Sequence, residues 1–227
     1  MRLWDANWEQ VEAYLERDDR VLVPLGSTEQ HGALSLGTDA ILCELAAAEA
    51  AAPLGIPVLP ALPFGLTPGF MAYPGTITLR EETYLALLRE VIESLLAQGF
   101  GRILLVNGHG GNLPAARLAS EYAEVRFHSW LIDPAIWGLA GEIDDVGHAS
   151  WVENFAAVRL PGVEIPAGRK PVVAFAGVSD PAEVRALLGD GPSGGPYERP
   201  EEDTRRVWDA AVELLRERLE WRETDDL

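Results

Sequence analysis

Two short apolar runs limit what this chain can become. Val21-Leu22-Val23 and Ile103-Leu104-Leu105-Val106 are apolar at every position, the pattern of strands buried on both faces in a parallel sheet. Each empties into a loop rich in glycine and polar side chains. The first reads Pro24-Leu25-Gly26-Ser27-Thr28-Glu29-Gln30-His31-Gly32, with Thr38-Asp39 just beyond; the second reads Asn107-Gly108-His109-Gly110-Gly111-Asn112. Neighbouring strand exits of an open parallel sheet share one crevice, where ligands bind. Glu29, His31, Asp39 and His109 are the donor types that Zn²⁺, Mn²⁺ or Fe²⁺ take, so the two loops together suggest a metal site.

Along the chain, hydrophobic spacing predicts a helix from Trp4 to Arg17 with Trp8, Val11 and Leu15 on one face, and a strand over 21–25. Asp39 opens an alanine-rich helix, Ala40 to Ala52, and Ile56 to Leu62 reads as another strand. A Gly/Pro-rich loop over 63–74 precedes a capping-box start, Thr78 with Glu81, to a helix that stops at Gly99. Strand 102–106 is followed by a helix capped by Asn112 and reaching about Glu124, then a strand from Phe127 to Ile132. Residues 133–147 read as irregular, His148 to Leu160 as mostly helical, and Pro171 to Gly177 as a late strand. A loop over 189–200 leads to a last helix, Pro200 to Trp221, with Val207, Ala211, Leu215 and Leu219 inward. This alternation predicts an α/β fold, a three-layer sandwich with a mostly parallel central sheet, and 1–227 as a single domain.

Composition removes several classes of function. A formal net charge of −18 disfavours nucleic acid and anionic membrane as partners. One cysteine, Cys43, permits no intrachain disulfide and fits a reducing, cytoplasmic setting. No apolar run approaches membrane-spanning length.

Every candidate ligand has a plainer reading beside the chemical one. Glu29 is a loop glutamate of the kind that is usually solvated. Asp39 stands where a helix N-cap belongs. His109, among glycines, is a turn residue or a ligand, and its loop lacks the lysine of a phosphate-binding P-loop. Ser150 with Glu153 has capping-box spacing, and His148 alone is an ordinary histidine. His128, inside a strand, reads as structural. Three of the four histidines falling at or beside these loops favours the metal reading.

The two strand-exit motifs, with Tyr73-Pro74-Gly75-Thr76 and with His148-Ala149 followed by Glu153, resemble the creatininase (creatinine amidohydrolase) family over roughly residues 5–220. The resemblance implies a homo-oligomer, commonly a hexamer, and two divalent metal ions, Zn, Mn or Fe. Glu29, Asp39 and His109 would hold one; His31, Asp39 and Glu153 would hold the other, with Asp39 shared. His148 matches the family's catalytic histidine, and Glu153 would serve at the catalytic metal. Phe70, Tyr73, Gly110, Gly111 and Trp151 would meet the substrate. The implied reaction is hydrolysis of a non-peptide C–N bond of a small molecule, a cyclic amide or formamide, by a metal-activated water. Two alternatives come with it: a peptidase trimming a small modified peptide, as in the mycofactocin branch, and an inactive binding or assembly homologue. This chain departs from the family pattern at Ala33-Leu34-Ser35, at Phe70, at Gly111 and at Asn154-Phe155. The departures at 33–35, 70 and 154–155 concern the pocket wall; Gly111 stands where creatininase itself has the glutamate that completes the second metal, a place the resemblance gives to Glu153 in this chain.

Overall fold

The computed structural model describes residues 1–175 and 177–221. At its centre β1 (Arg20–Leu25), β2 (Arg102–Asn107) and β3 (Val125–Ser129) form a parallel sheet in that order. Alternation along the strands splits the core in two. Leu22, Leu104 and Val106 face α2 (Thr38–Ala51), α5 (Pro134–Ile143) and α7 (Glu201–Arg218). Val21, Val23, Leu25, Ile103 and Leu105 face α1 (Trp8–Leu15), α3 (Glu81–Ala97) and α4 (Pro114–Ala119). The result is the expected three-layer α/β sandwich. Ala46, Ala47 and Ala50 of α2 are fully buried, and their small side chains let α7 lie close with Val207, Ala211 and Leu215 inward. Among the described residues no helix is long and apolar enough to cross a membrane.

Segment 56–62 runs along the free edge of β1 without becoming a full strand. Among the described residues it bridges β1 in parallel at Leu22↔Val58 and Leu25↔Leu62 alone, with Val58 also bridging Arg2 on its other side. Pro57, Pro60 and Pro63 bring no N–H to a ladder, which leaves the edge ragged. Other expectations shift for equally local reasons. Helix α1 begins at Trp8 because Asn7 and Gln10 close a capping box, and it buries Tyr14 while Trp8 stays 70% exposed. No side chain caps α3: Arg80 occupies the cap, and Thr78 Oγ1 accepts from the Thr67 amide instead. Strand β3 lies over 125–129 rather than 127–132, and 133–147 contains α5, capped by Asp133 with Pro134 in its first turn. Residues 148–160 form two single 3₁₀ turns, Trp151–Glu153 and Ala156–Val158, in place of a helix. The late pairing falls on β4 (Arg169–Lys170) with β5 (Gly195–Pro196), antiparallel, not on 171–177, of which Ala176 is outside the described residues. Between them α6 (Pro181–Leu188), capped by Asp180, packs Val184 and Leu188 on Phe70.

His128 on β3 is buried, with Nε2 lacking any hydrogen-bond partner and Nδ1 3.9 Å from Asp133. Burial pushes its pKa down to about 4, against a smaller opposing pull from Asp133. A base whose folded pKa lies below its unfolded value stabilises the fold fully above the unfolded pKa and loses that contribution as pH falls. His128 should therefore cost the protein roughly 2–3 kcal/mol between pH 7 and pH 4. Urea unfolding across this range should show a shallower acid loss for His128→Leu than for the parent.

Candidate metal centre

Two glycines seat the first turn of α2 on the C-terminal edge of the sheet. A Cβ on Gly26 would fall 2.4 Å from Ala40 Cα, and one on Gly108 would fall 2.9 Å from the Asp39 carbonyl oxygen. Only the absence of side chains at both strand exits allows this approach. It delivers the Asp39 carboxylate into the crevice between the two loops. Asp39 lies inside α2, whose cap position is Gly37, so the capping explanation for this aspartate is set aside.

The Asp39 carboxylate receives a hydrogen bond from Ser27 Oγ at 2.9 Å. Its two oxygens then face one imidazole each, His31 Nε2 at 3.0 Å and His109 Nδ1 at 2.9 Å. Glu29 is only 1% exposed, not solvated, with Oε1 3.4 Å from His109 Nδ1 and 3.7 Å from His148 Nδ1. Glu153 accepts the Ala149 amide at 2.6 Å and lies 4.0 Å from His31 Nε2. The capping box expected of Ser150 and Glu153 does not form; Ser150 Oγ accepts from the Gly147 amide instead.

Backbone carbonyls orient the rings. His31 Nδ1 is 3.2 Å from the Glu29 carbonyl and His109 Nε2 is 3.0 Å from the Leu66 carbonyl. With protons on those nitrogens, His31 Nε2 and His109 Nδ1 turn bare lone pairs toward the carboxylates, as metal-ligating histidines do. The donor atoms of Glu29, Asp39 and His109 lie within 4.8 Å of one another, as do those of His31, Asp39 and Glu153, and those of Glu29, His31 and His148. The first two groups share Asp39. Two polar atoms in the cluster, Glu29 Oε2 and His31 Nε2, are buried without a hydrogen-bond partner. His31 Nε2 is near Asp39 but not aligned for a hydrogen bond. Buried polar atoms are rarely left so, and a cation between these donors would satisfy both.

The charges are strongly coupled. Burial opposes charge on every member, yet at His31 the carboxylates of Asp39, Glu153 and Glu29 together outweigh it and lift that pKa to about 10. His109 is raised likewise against burial by Glu29 and Asp39. Burial also works against the Asp39 anion, but His31 and His109 hold it below the usual carboxylate range. Burial lifts Glu29, and it lifts Glu153 to about 7, with His31 pulling the other way. Burial and then the His31 charge lower His148 to about 3.

Glu29, Asp39, His109, His148 and Glu153 line a cavity of about 380 Å³, with His31 behind them. Phe70, Gly110 and Gly111 line it, and Phe70 stacks on His148 with ring centroids 4.7 Å apart. Tyr73 stands behind Phe70 and donates its hydroxyl to the Gly189 carbonyl, off the cavity wall. Trp151 is fully buried in the core, its indole N–H donating to the Asp145 carbonyl; it is not part of the wall. Both were expected to meet the substrate, and the structure instead places them off the cavity wall. Trp137, on α5, is on the wall. Sequence reasoning gave no part in the site to Ser27 or Gln30 and cast Asn112 only as a helix cap. Gln30 Nε2 lies 2.8 Å from His148 Nε2 and donates to the Gly191 carbonyl. Asn112 does not cap α4; its amide donates to the Gly26 carbonyl and accepts from the Leu66 amide. All three stand inside the quoted motifs, but spacing alone does not reveal whom a polar side chain will bond.

A family model described as creatinine amidohydrolase matches residues 4–219. The chain belongs to the creatininase family. Relatives include a mycofactocin precursor peptide peptidase of Mycolicibacterium smegmatis, 37% identical over 62% of this chain and 57% of that protein. A 3-dehydro-scyllo-inosose hydrolase of Thermotoga maritima is 32% identical over 52% of this chain and 38% of its own. A creatinine amidohydrolase of Pseudomonas putida is 30% identical over 48% and 44%. The chain thus spans about half the length of the curated relatives it matches. Among solved structures, creatininase superposes with a TM-score of 0.75 at 22% identity, covering 96% of both chains. A creatininase described as the manganese form gives 0.76 at 22% identity and the same coverage. The creatininase fold accounts for the whole sandwich.

Asn112 ties both strand exits to the loop after residue 63, and its amide is fully buried. Asn112→Ala leaves the buried Gly26 carbonyl and the part-buried Leu66 amide without this partner, at a cost of about 1–3 kcal/mol. Urea denaturation of the metal-free variant should show that loss with an unchanged m-value.

Proposed function

We propose that this member of the creatininase family is a metal-dependent amidohydrolase with two divalent ions, Zn, Mn or Fe, sharing Asp39. The observation that carries the reading is the pair of buried, unpartnered donors, Glu29 Oε2 and His31 Nε2, in a cluster where Asp39 faces two imidazoles. Glu29, Asp39 and His109 would hold one ion; His31, Asp39 and Glu153 would hold the other. Bound there, such ions would supply a Lewis acid and a hydroxide available near neutral pH.

The protein's own groups do the rest. His148 is placed to move a proton to the leaving nitrogen: Phe70 fixes the plane of its ring and Gln30 holds Nε2, leaving Nδ1 toward Glu29 and the cluster. Glu153, held by the Ala149 amide, keeps one oxygen on the His31 side of the site. Gly110 and Gly111 let the substrate come close to the backbone. The reaction is hydrolysis of a C–N bond in a small-molecule substrate, a cyclic amide or formamide. A peptidase trimming a small modified peptide is the second reading, supported by the 37% identity to the mycofactocin precursor peptide peptidase. The complete donor set argues against an inactive homologue. Homo-oligomeric assembly belongs to this reading too, and Trp4 and Trp8, both largely exposed, offer apolar surface for it.

Inductively coupled plasma mass spectrometry on untagged protein should find about two metal equivalents per chain, both lost in Asp39→Ala. Ser27→Ala removes only the hydrogen bond to Asp39 and should weaken metal affinity by about 10–100-fold. Metal retained at one equivalent by Asp39→Ala would break the shared-carboxylate assignment. Amide, formamide and short-peptide substrates, followed by release of the product amine, separate the two readings.

A further inference from the structure

The proposed donors occupy one part of the cavity wall, and the remainder offers almost nothing polar. Leu66, Phe70, Leu131, Ile132, Trp137 and Val184 are on it, with glycines between them. Among the described lining residues there is no lysine, arginine, asparagine, glutamine, serine or tyrosine. The one hydroxyl, Thr67 Oγ1, is buried and donates to the Ile77 carbonyl at 3.3 Å. His109 Nε2 is taken by the Leu66 carbonyl and His148 Nε2 by Gln30. Past the donors the Trp137 indole N–H is the one free side-chain polar group among the described lining residues, so a hydroxyl, carboxylate or guanidinium entering there would give up water and find at most one donor and no side-chain acceptor. An apolar group entering there gains by leaving water. Phe70 makes that wall continuous with the reacting end, because the same ring stacks on His148.

Resting on the two-metal reading above, we infer that the substrate carries an uncharged apolar group, aromatic or branched aliphatic, beside the scissile C–N bond. A polyhydroxylated ring or an ionised side chain is refused at that position. The cavity, about 380 Å³, is near the lower end of the range for small-molecule sites, so the group is small. A free aryl or alkyl amide and a short peptide with an apolar residue present the same chemistry.

The test uses full-length, zinc-loaded protein and three hydroxamic acids that share one metal-binding head: acetohydroxamic, phenylacetohydroxamic and gluconohydroxamic acid. Calorimetric titration should give phenylacetohydroxamate an affinity at least about tenfold above acetohydroxamate, with gluconohydroxamate no tighter than acetohydroxamate. Trp137 is 36% exposed, so Trp137→Ser leaves the core intact. In that variant the advantage of the phenyl group should shrink by about threefold or more, with acetohydroxamate affinity unchanged. Equal or tighter binding of gluconohydroxamate than of phenylacetohydroxamate overturns the substrate class while leaving the metal reading standing. Failure of the protein to load zinc overturns the metal reading and this inference with it, whereas zinc-loaded protein that gives phenylacetohydroxamate no advantage over acetohydroxamate overturns this inference alone. Turnover of phenylacetamide-type amides against phenylalanine-containing dipeptides then identifies the source of the apolar group. Faster turnover of a polyhydroxylated amide than of either contradicts the inference.

Discussion

Asp39 is a carboxylate buried at the edge of a sheet, and burial of an unpaired charge there would cost several kcal/mol. The fold makes this tolerable by bringing three separate segments together. Ser27 and His31 come from the exit of β1, His109 from the exit of β2, and the aspartate itself from the first turn of α2. That convergence depends on register. Leu25 pairs with Asn107, so the two exits leave the sheet side by side. It depends equally on Gly26 and Gly108, since a methyl group at either would push α2 away from the sheet. The alanine face of α2 serves the same end from behind, allowing α7 to press the helix onto the strands. Packing, register and backbone sterics are thus all spent on holding one carboxylate between two imidazoles.

Much of this was legible in the sequence because its causes are local. An apolar run of three or four residues followed by a glycine-rich polar loop specifies a buried strand and its exit, and both β1 and β2 were found where that pattern put them. The last helix followed from the spacing of Val207, Ala211, Leu215 and Leu219, all buried. Histidines and carboxylates concentrated at those exits pointed to one crevice, and their donor atoms do meet there. Family motifs identified the family over nearly the whole chain.

What was misread had causes that spacing does not carry. Prolines in 56–63 are compatible with an extended chain but not with a full ladder, so an edge segment looked like a strand. Between 148 and 160 the helical pattern was a coincidence of composition. Ala149 takes a positive φ of 58° there, and the Glu153 carboxylate binds its amide. A chain turned that way does not continue as a helix. Thr78, Asn112 and Ser150 all had the residue type and position of caps, and all three bond elsewhere. Side chains that cap helices are the same ones that bridge loops, and only tertiary neighbours decide between the uses. Trp151 illustrates the converse for aromatics: an apolar residue two before a candidate ligand was assigned to the pocket, yet it completes the core beneath it.

The metal-free electrostatics say why these groups tolerate one another. Three carboxylates and three imidazoles share one buried crevice, and the protein alone balances them with protons. His31 and His109 are shifted toward the charged form while Asp39 stays ionised between them, and Glu29 and Glu153 are shifted toward the neutral form. His148 goes the other way, driven neutral by burial and by the charge on His31. The nitrogens that attract protons, His31 Nε2 and His109 Nδ1, are those whose opposite ring nitrogens are already committed to backbone carbonyls. Protons on those nitrogens occupy the same donor atoms that would hold divalent cations. Loading such a site is therefore an exchange of cations for protons, and metal affinity must fall as pH falls. The same exchange would leave His31 and His109 as neutral donors and the carboxylates ionised. A cluster arranged so that its most strained protons sit on the candidate donor atoms is organised for metal, and the sandwich above and below it supplies the rigidity to keep it so.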